Sequence, residues 1–161
     1  MISASHLAGF YGAHAIWCVS DGETLIPMLA YTQEDGERTM NRLAGELEAA
    51  VAFGKEQLAS NPMDANDAVL LYDGYVTVGE TQFDAIFVEL RAYFSPQSEV
   101  MIALPYRPLA SGTFRVHRPQ LLVWKECEDF DVDQALQAFW SGASSHEEGF
   151  KVWSAALDES M

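Results

Sequence analysis

The chain has 161 residues, 49% hydrophobic and 12% aromatic, with 24 acidic side chains against 9 basic ones and a formal net charge of −15. That length fits one domain able to bury its own core, and that aromatic content excludes a disordered acidic tail. The negative charge disfavours nucleic acid and anionic membrane surfaces, both of which would repel it.

The charge is also uneven. No acid occurs in residues 100–125, where Arg107, Arg115, Arg118 and Lys125 stand alone, so the rest of the chain sums to −19. Small domains usually sit within about 2–8 units of neutrality, so the self-repulsion tolerated here points to a cationic partner.

In chain order, residues 1–20 carry no formal charge, and the first Lys or Arg is Arg38, so the basic start of a signal peptide is missing. No run of about 18 apolar residues suggests a membrane span. Cys18 sits in an apolar run and Cys127 among acids, without the pattern of a disulfide framework. These features lead to the expectation of a cytoplasmic protein.

Residues 13–19 and 24–31 are apolar, β-prone runs flanking Asp21-Gly22, a strong hairpin signal. Residues 37–59 read as the longest helix. Met40, Leu43, Leu47, Val51 and Leu58 share a face, Asp35 is the cap, and Asn61-Pro62 is the stop. Residues 68–78, 83–94 and 100–106 read as an antiparallel meander. In its middle strand Ile86, Val88, Leu90 and Ala92 form one face, and Phe83, Phe87, Glu89, Arg91 and Tyr93 the other. Residues 121–124 add a short strand. Asp131 with Gln134, and Ser145 with Glu148, resemble capping boxes that start two C-terminal helices. The expectation is one α+β domain over residues 1–161: a mainly antiparallel sheet, one long helix after an N-terminal hairpin, and two C-terminal helices.

The best anion-binding candidate is the loop-rich segment carrying Arg107, Arg115, His117 and Arg118, since clustered guanidinium groups grip carboxylates or phosphates bidentately. The competing reading is that these arginines neutralise the protein's own carboxylates. Glu126, Glu128, Asp129, Asp131 and Asp133 form the densest acidic run. Asp129, Asp131 and Asp133 fit the opening of a calcium loop, but Gln134 stands where glycine is needed and Trp140 where the bidentate glutamate belongs. The run is better read as a solvated linker with a helix cap, and as a docking face for a basic protein. Trp140, beside Phe139, is a candidate anchor there.

No H-x-x-x-H, HExxH or C-x-x-C spacing occurs, so no metal site is expected. Hydrolase, P-loop and dinucleotide fingerprints are missing too, and no cofactor is expected. Glu89, Arg91 and Tyr93 could do acid–base chemistry only if the fold brought His117 to them. In size and charge the chain is similar to bacterial immunity proteins and secretion chaperones, which are small acidic binders. The leading expectation is therefore a non-enzymatic acidic domain that neutralises or escorts a basic protein. The alternative is a small-molecule binder, or an enzyme acting on an anionic ligand, through residues 107–118. The sequence gives no reading of oligomeric state.

Overall fold

The uncharged N-terminus folds as helix. In the computed structural model, which describes residues 1–159, Ile2–Val19 form α1, correcting the expected hairpin. Alanines 4, 8, 13 and 15 favour a helix. Because α1 is covered on two sides, its apolar residues fall all round it and show no single stripe. Asp21-Gly22 ends this helix: the Gly22 N–H donates to the Val19 carbonyl at 3.1 Å.

The first hairpin forms at the second Asp-Gly of the chain. β1 (Met28–Thr32) and β2 (Arg38–Arg42) pair antiparallel around Asp35-Gly36. Gly36 takes φ +84°, a conformation that costs glycine little, and Asp35 Oδ1 accepts the Glu37 N–H at 3.0 Å. Asp35 is thus a turn residue, and residues 38–42 are strand, a second correction. Thr39 and Asn41 are poor helix formers, and β1 supplies a pairing edge. The second helix, α2 (Leu47–Ser60), begins later than its apolar spacing suggests. Its cap is Glu46, whose carboxylate accepts from the Glu48 and Ala49 N–H groups at 3.0 and 2.9 Å.

The meander follows as expected: β3 (Asp67–Val78), β4 (Thr81–Ala92) and β5 (Glu99–Arg107). After a short 3₁₀ turn come β6 (Arg115–His117) and β7 (Gln120–Lys125). The chain continues into α3 (Val132–Ser145), α4 (Glu147–Ala156) and β8 (Leu157–Asp158). The sheet runs β2-β1-β3-β4-β5-β6-β8, antiparallel except for β6 with β8. β5 is shared along its outer edge: β6 takes Tyr106 and Arg107, and β7 takes residues 99–103 across a bulge.

The sheet face bearing Ile86, Val88 and Leu90 packs under α1, and α3 and α4 close over the far side of α1. The opposite face bears α2, over Leu29, Ala68 and Leu70. The broad expectation of a mixed, mostly antiparallel domain holds, with one more helix than expected among the described residues. Asp131 caps α3 as expected, accepting from Asp133 N–H at 2.8 Å. Ser145 does not cap α4: its hydroxyl donates to the Gly142 carbonyl, and His146 supplies the cap.

Contact between α1 and α3 depends on missing side chains. A Cβ on Gly9 would collide with the Phe139 carbonyl oxygen, and one on Gly142 with the His6 carbonyl oxygen. The two backbones meet with nothing between them.

Candidate functional site

Among the described residues no helix is long and apolar enough to cross a membrane, and no three His, Cys, Asp or Glu side chains are grouped to hold a metal. Three surface features bear on function: a basic patch, a histidine cleft and an apolar groove.

The basic segment is brought together. Arg107 and Arg115 are direct cross-strand partners on the face that α2 also occupies, and both are exposed. Arg107 lies over the Phe83 ring at 4.8 Å, and His117 meets the same ring edge-on at 4.9 Å. Arg118 follows at the strand end, exposed. Like charges directly opposite one another are unfavourable in a sheet. Among the described residues the close lysine and arginine ion pairs are Lys55–Glu89, Arg91–Glu99 and Lys125–Glu99. Arg107, Arg115 and Arg118 take part in none of these.

His117 is 2% exposed, and its Nδ1 stands 4.0 Å from an Asp158 carboxylate oxygen. Burial pulls its pKa below the ordinary value, outweighing the opposite pull of Asp158, and Arg107 adds to the lowering. The native state therefore binds this proton less readily than the unfolded chain. Stability from this group is complete above about pH 6.5 and drains as pH falls below it. His117→Leu is accordingly expected to lose less stability than the parent between about pH 7 and about pH 5, read from chemical denaturation. Equal losses in both proteins would contradict this.

Glu89 and His117 do not meet. Glu89 is buried under α2, 3.1 Å from Lys55 Nζ, and accepts the Tyr72 hydroxyl at 2.5 Å. His117 packs on Phe83, six residues along β4 from Glu89, a separation of roughly 20 Å. Arg91 pairs with Glu99, and the Tyr93 hydroxyl donates to the Leu58 carbonyl. The side chains considered for acid–base work instead hold α2 and β5 to the sheet.

Where α1 meets α4, the Gly149 N–H donates to His146 Nδ1 at 2.9 Å. With Nδ1 accepting, His146 is left to donate from Nε2 to His14 Nδ1 at 3.0 Å. Burial, then His146 and Arg42, lower the His14 pKa and favour its neutral ring. Trp17, 42% exposed, meets both rings edge-on, and a cleft of about 350 Å³ opens between His14, Trp17, Cys18 and Arg42.

The acidic run is exposed at every acid and joins two apolar walls. Leu121 and Trp124 of β7 form one wall, and Val132 and Leu136 of α3 form the other. Ile102 and Pro119 help to line the groove between them, which holds about 160 Å³. Leu121, Leu122, Val132 and Leu136 are between 41% and 47% exposed. Phe94, 69% exposed, stands edge-on to Phe130 in the acidic run itself. Glu126, Glu128, Asp129, Asp131 and Asp133 enter none of the close ion pairs among the described residues. Trp140 lies away from this groove, partly buried on Phe139 and Trp153 at 5.6 and 5.0 Å. Sequence reading missed the leucines. The signals were the unbroken Leu-Leu-Val-Trp of β7, and Val132 and Leu136 four apart on a helix.

No protein family, curated protein or solved structure matches the chain.

Proposed function

We propose that this is a non-enzymatic, cytoplasmic protein-binding domain that neutralises or escorts a basic protein. The observation that carries this reading is the mainly apolar groove between β7 and α3, joined at one end by exposed acids that enter no close ion pair among the described residues. Exposed apolar residues gathered beside charge are characteristic of interaction surfaces rather than of a solvated face. At about 160 Å³ the groove falls below the roughly 300–1,000 Å³ of small-molecule sites and has the size to accept side chains. The acids steer a cationic partner, and the leucines and Trp124 hold it.

The test is retention of basic proteins from a native lysate on the immobilised chain, with a salt gradient for elution. A basic protein released by moderate salt, and not retained by a variant with a charged groove, supports the reading. Retention that ignores both salt and groove contradicts it.

A second reading, an anion clamp for a small ligand, rests on the opposed Arg107 and Arg115 with Arg118 and His117 beside them. It predicts that millimolar citrate raises the melting temperature of the parent and leaves that of Arg115→Ala unchanged. An equal rise in both proteins would remove the clamp.

A further inference from the structure

We propose that the groove takes its partner as an added β-strand, with an extended basic-apolar peptide segment pairing antiparallel along the free edge of β7. This inference rests on the protein-binding reading above and specifies how the partner is held.

β7 has six residues and, among the described residues, pairs only with β5. Its other edge therefore offers backbone donors and acceptors to a new strand. Natural sheets blunt such edges with charge, proline, bulges or cover. The opposite edge of this sheet does so: β2 carries Arg38 and Arg42 at its ends, with polar Thr39 and Asn41 between. β7 has a bulge at Leu122, which puts Leu121 and Trp124 on one face, and its edge is otherwise unguarded by charge or proline within the strand. It presents Leu121, Leu122, Val123 and Trp124, with charge only at the terminal Lys125, which Glu99 neutralises at 3.6 Å. An edge left apolar beside a groove fits strand addition, in which the backbone supplies affinity and alternate side chains supply specificity.

The surroundings set the peptide's chemistry and direction. On an added strand every second side chain points to the face shared by Leu121 and Trp124, and so into the groove beneath Val132 and Leu136. Those positions call for leucine- or valine-sized groups. The acids of residues 126–133 lie at the C-terminal end of β7, and Arg118 lies just before its start. In antiparallel pairing the N-terminal flank of the peptide meets the acids and its C-terminal carboxylate faces Arg118. The preferred segment thus has lysines or arginines before an alternating apolar stretch.

The experiment uses the full chain and three synthetic probes, with affinity read by fluorescence anisotropy at low and moderate salt. The first places three lysines before alternating leucine and threonine, and the second places them after. The expected result is that the first binds about tenfold more tightly and weakens as salt rises. The third is the first peptide N-methylated at alternate residues, prepared in its two registers. One register blocks the hydrogen bonds to β7 and is expected to lose about tenfold or more, while the other keeps its affinity.

Equal loss in both registers overturns strand addition but leaves the protein-binding reading standing, because side-chain docking does not distinguish the registers. Tighter binding of the second peptide overturns the antiparallel direction. A stable dimer in sedimentation, dispersed by Leu122→Lys, would make a second copy the occupant and overturn the peptide. Failure of every probe overturns strand addition, and lysate retention then decides the broader reading independently.

Discussion

Alanine at Gly9 or at Gly142 is expected to lower the unfolding free energy by about 3 kcal/mol, and the melting temperature by roughly 6–12 °C. A new Cβ at either site meets backbone rather than a side-chain tip: Phe139 from Gly9, and His6 from Gly142. No rotamer change relieves such a clash, so α1 and α3 must separate and open the core around Leu7, Phe139 and Ala143. Both glycines serve one interface. The double variant should therefore cost less than the sum of the two, because helices already apart accommodate the second methyl. Gly74→Ala is the contrast: its Cβ meets the partly exposed Phe87 ring, which can swing aside, and a smaller loss is expected. Thermal and denaturant unfolding check all four proteins. A loss below about 1 kcal/mol at Gly9 would mean that the α1–α3 approach does not bear on stability.

Leu136→Asp is expected to leave folding intact and to reduce binding of a basic partner by roughly thirtyfold or more. Leu136 is 47% exposed, so a carboxylate there costs the fold little. In the bound state the same carboxylate would sit in an apolar groove, stripped of water and without a donor. It also adds negative charge, so attraction of a basic partner by long-range steering is kept while close contact is lost. The variant thereby separates the two contributions. Glu128→Lys with Asp129→Lys acts in the opposite way, slowing association and flattening the salt dependence while the groove stays apolar. Asp131 is best left unchanged, because it caps α3 and its loss would cost about 1 kcal/mol of helix stability. Partner retention, together with a melting curve for each variant, checks both expectations. Unchanged retention by Leu136→Asp would remove the groove from the binding surface.

The meander was legible because its strands are β-prone apolar runs bounded by turn residues, and in β4 the polar Glu89 and Arg91 fall between Val88, Leu90 and Ala92. Ile86, Val88 and Leu90 could be assigned to one face from period alone. Helix α1 was not legible, since a helix covered on two sides has no polar stripe to set its period, and its β-prone Ile16-Trp17-Cys18-Val19 run matched a strand locally. The chain also holds two Asp-Gly pairs. The sequence does not say that the one at residue 21 ends a helix while the one at residue 35 turns a hairpin, because that choice depends on whether a partner strand lies across it. The acids of residues 126–133 and the arginines at 107, 115 and 118 were visible as charge. Their surroundings were not, because the groove is made where β7 and α3 come together, and pairing of Arg107 with Arg115 follows from the β5–β6 register. The His14–His146 contact spans 132 positions and carries no local signal.

The most direct measurement is an amide chemical-shift map of the isotopically labelled chain, titrated with the peptide of three lysines followed by alternating leucine and threonine. Shift changes are expected to concentrate in residues 118–136, along β7, the acidic connection and the first turns of α3. Changes concentrated at Arg107, Arg115 and His117, or around His14 and Trp17, would contradict binding at the groove.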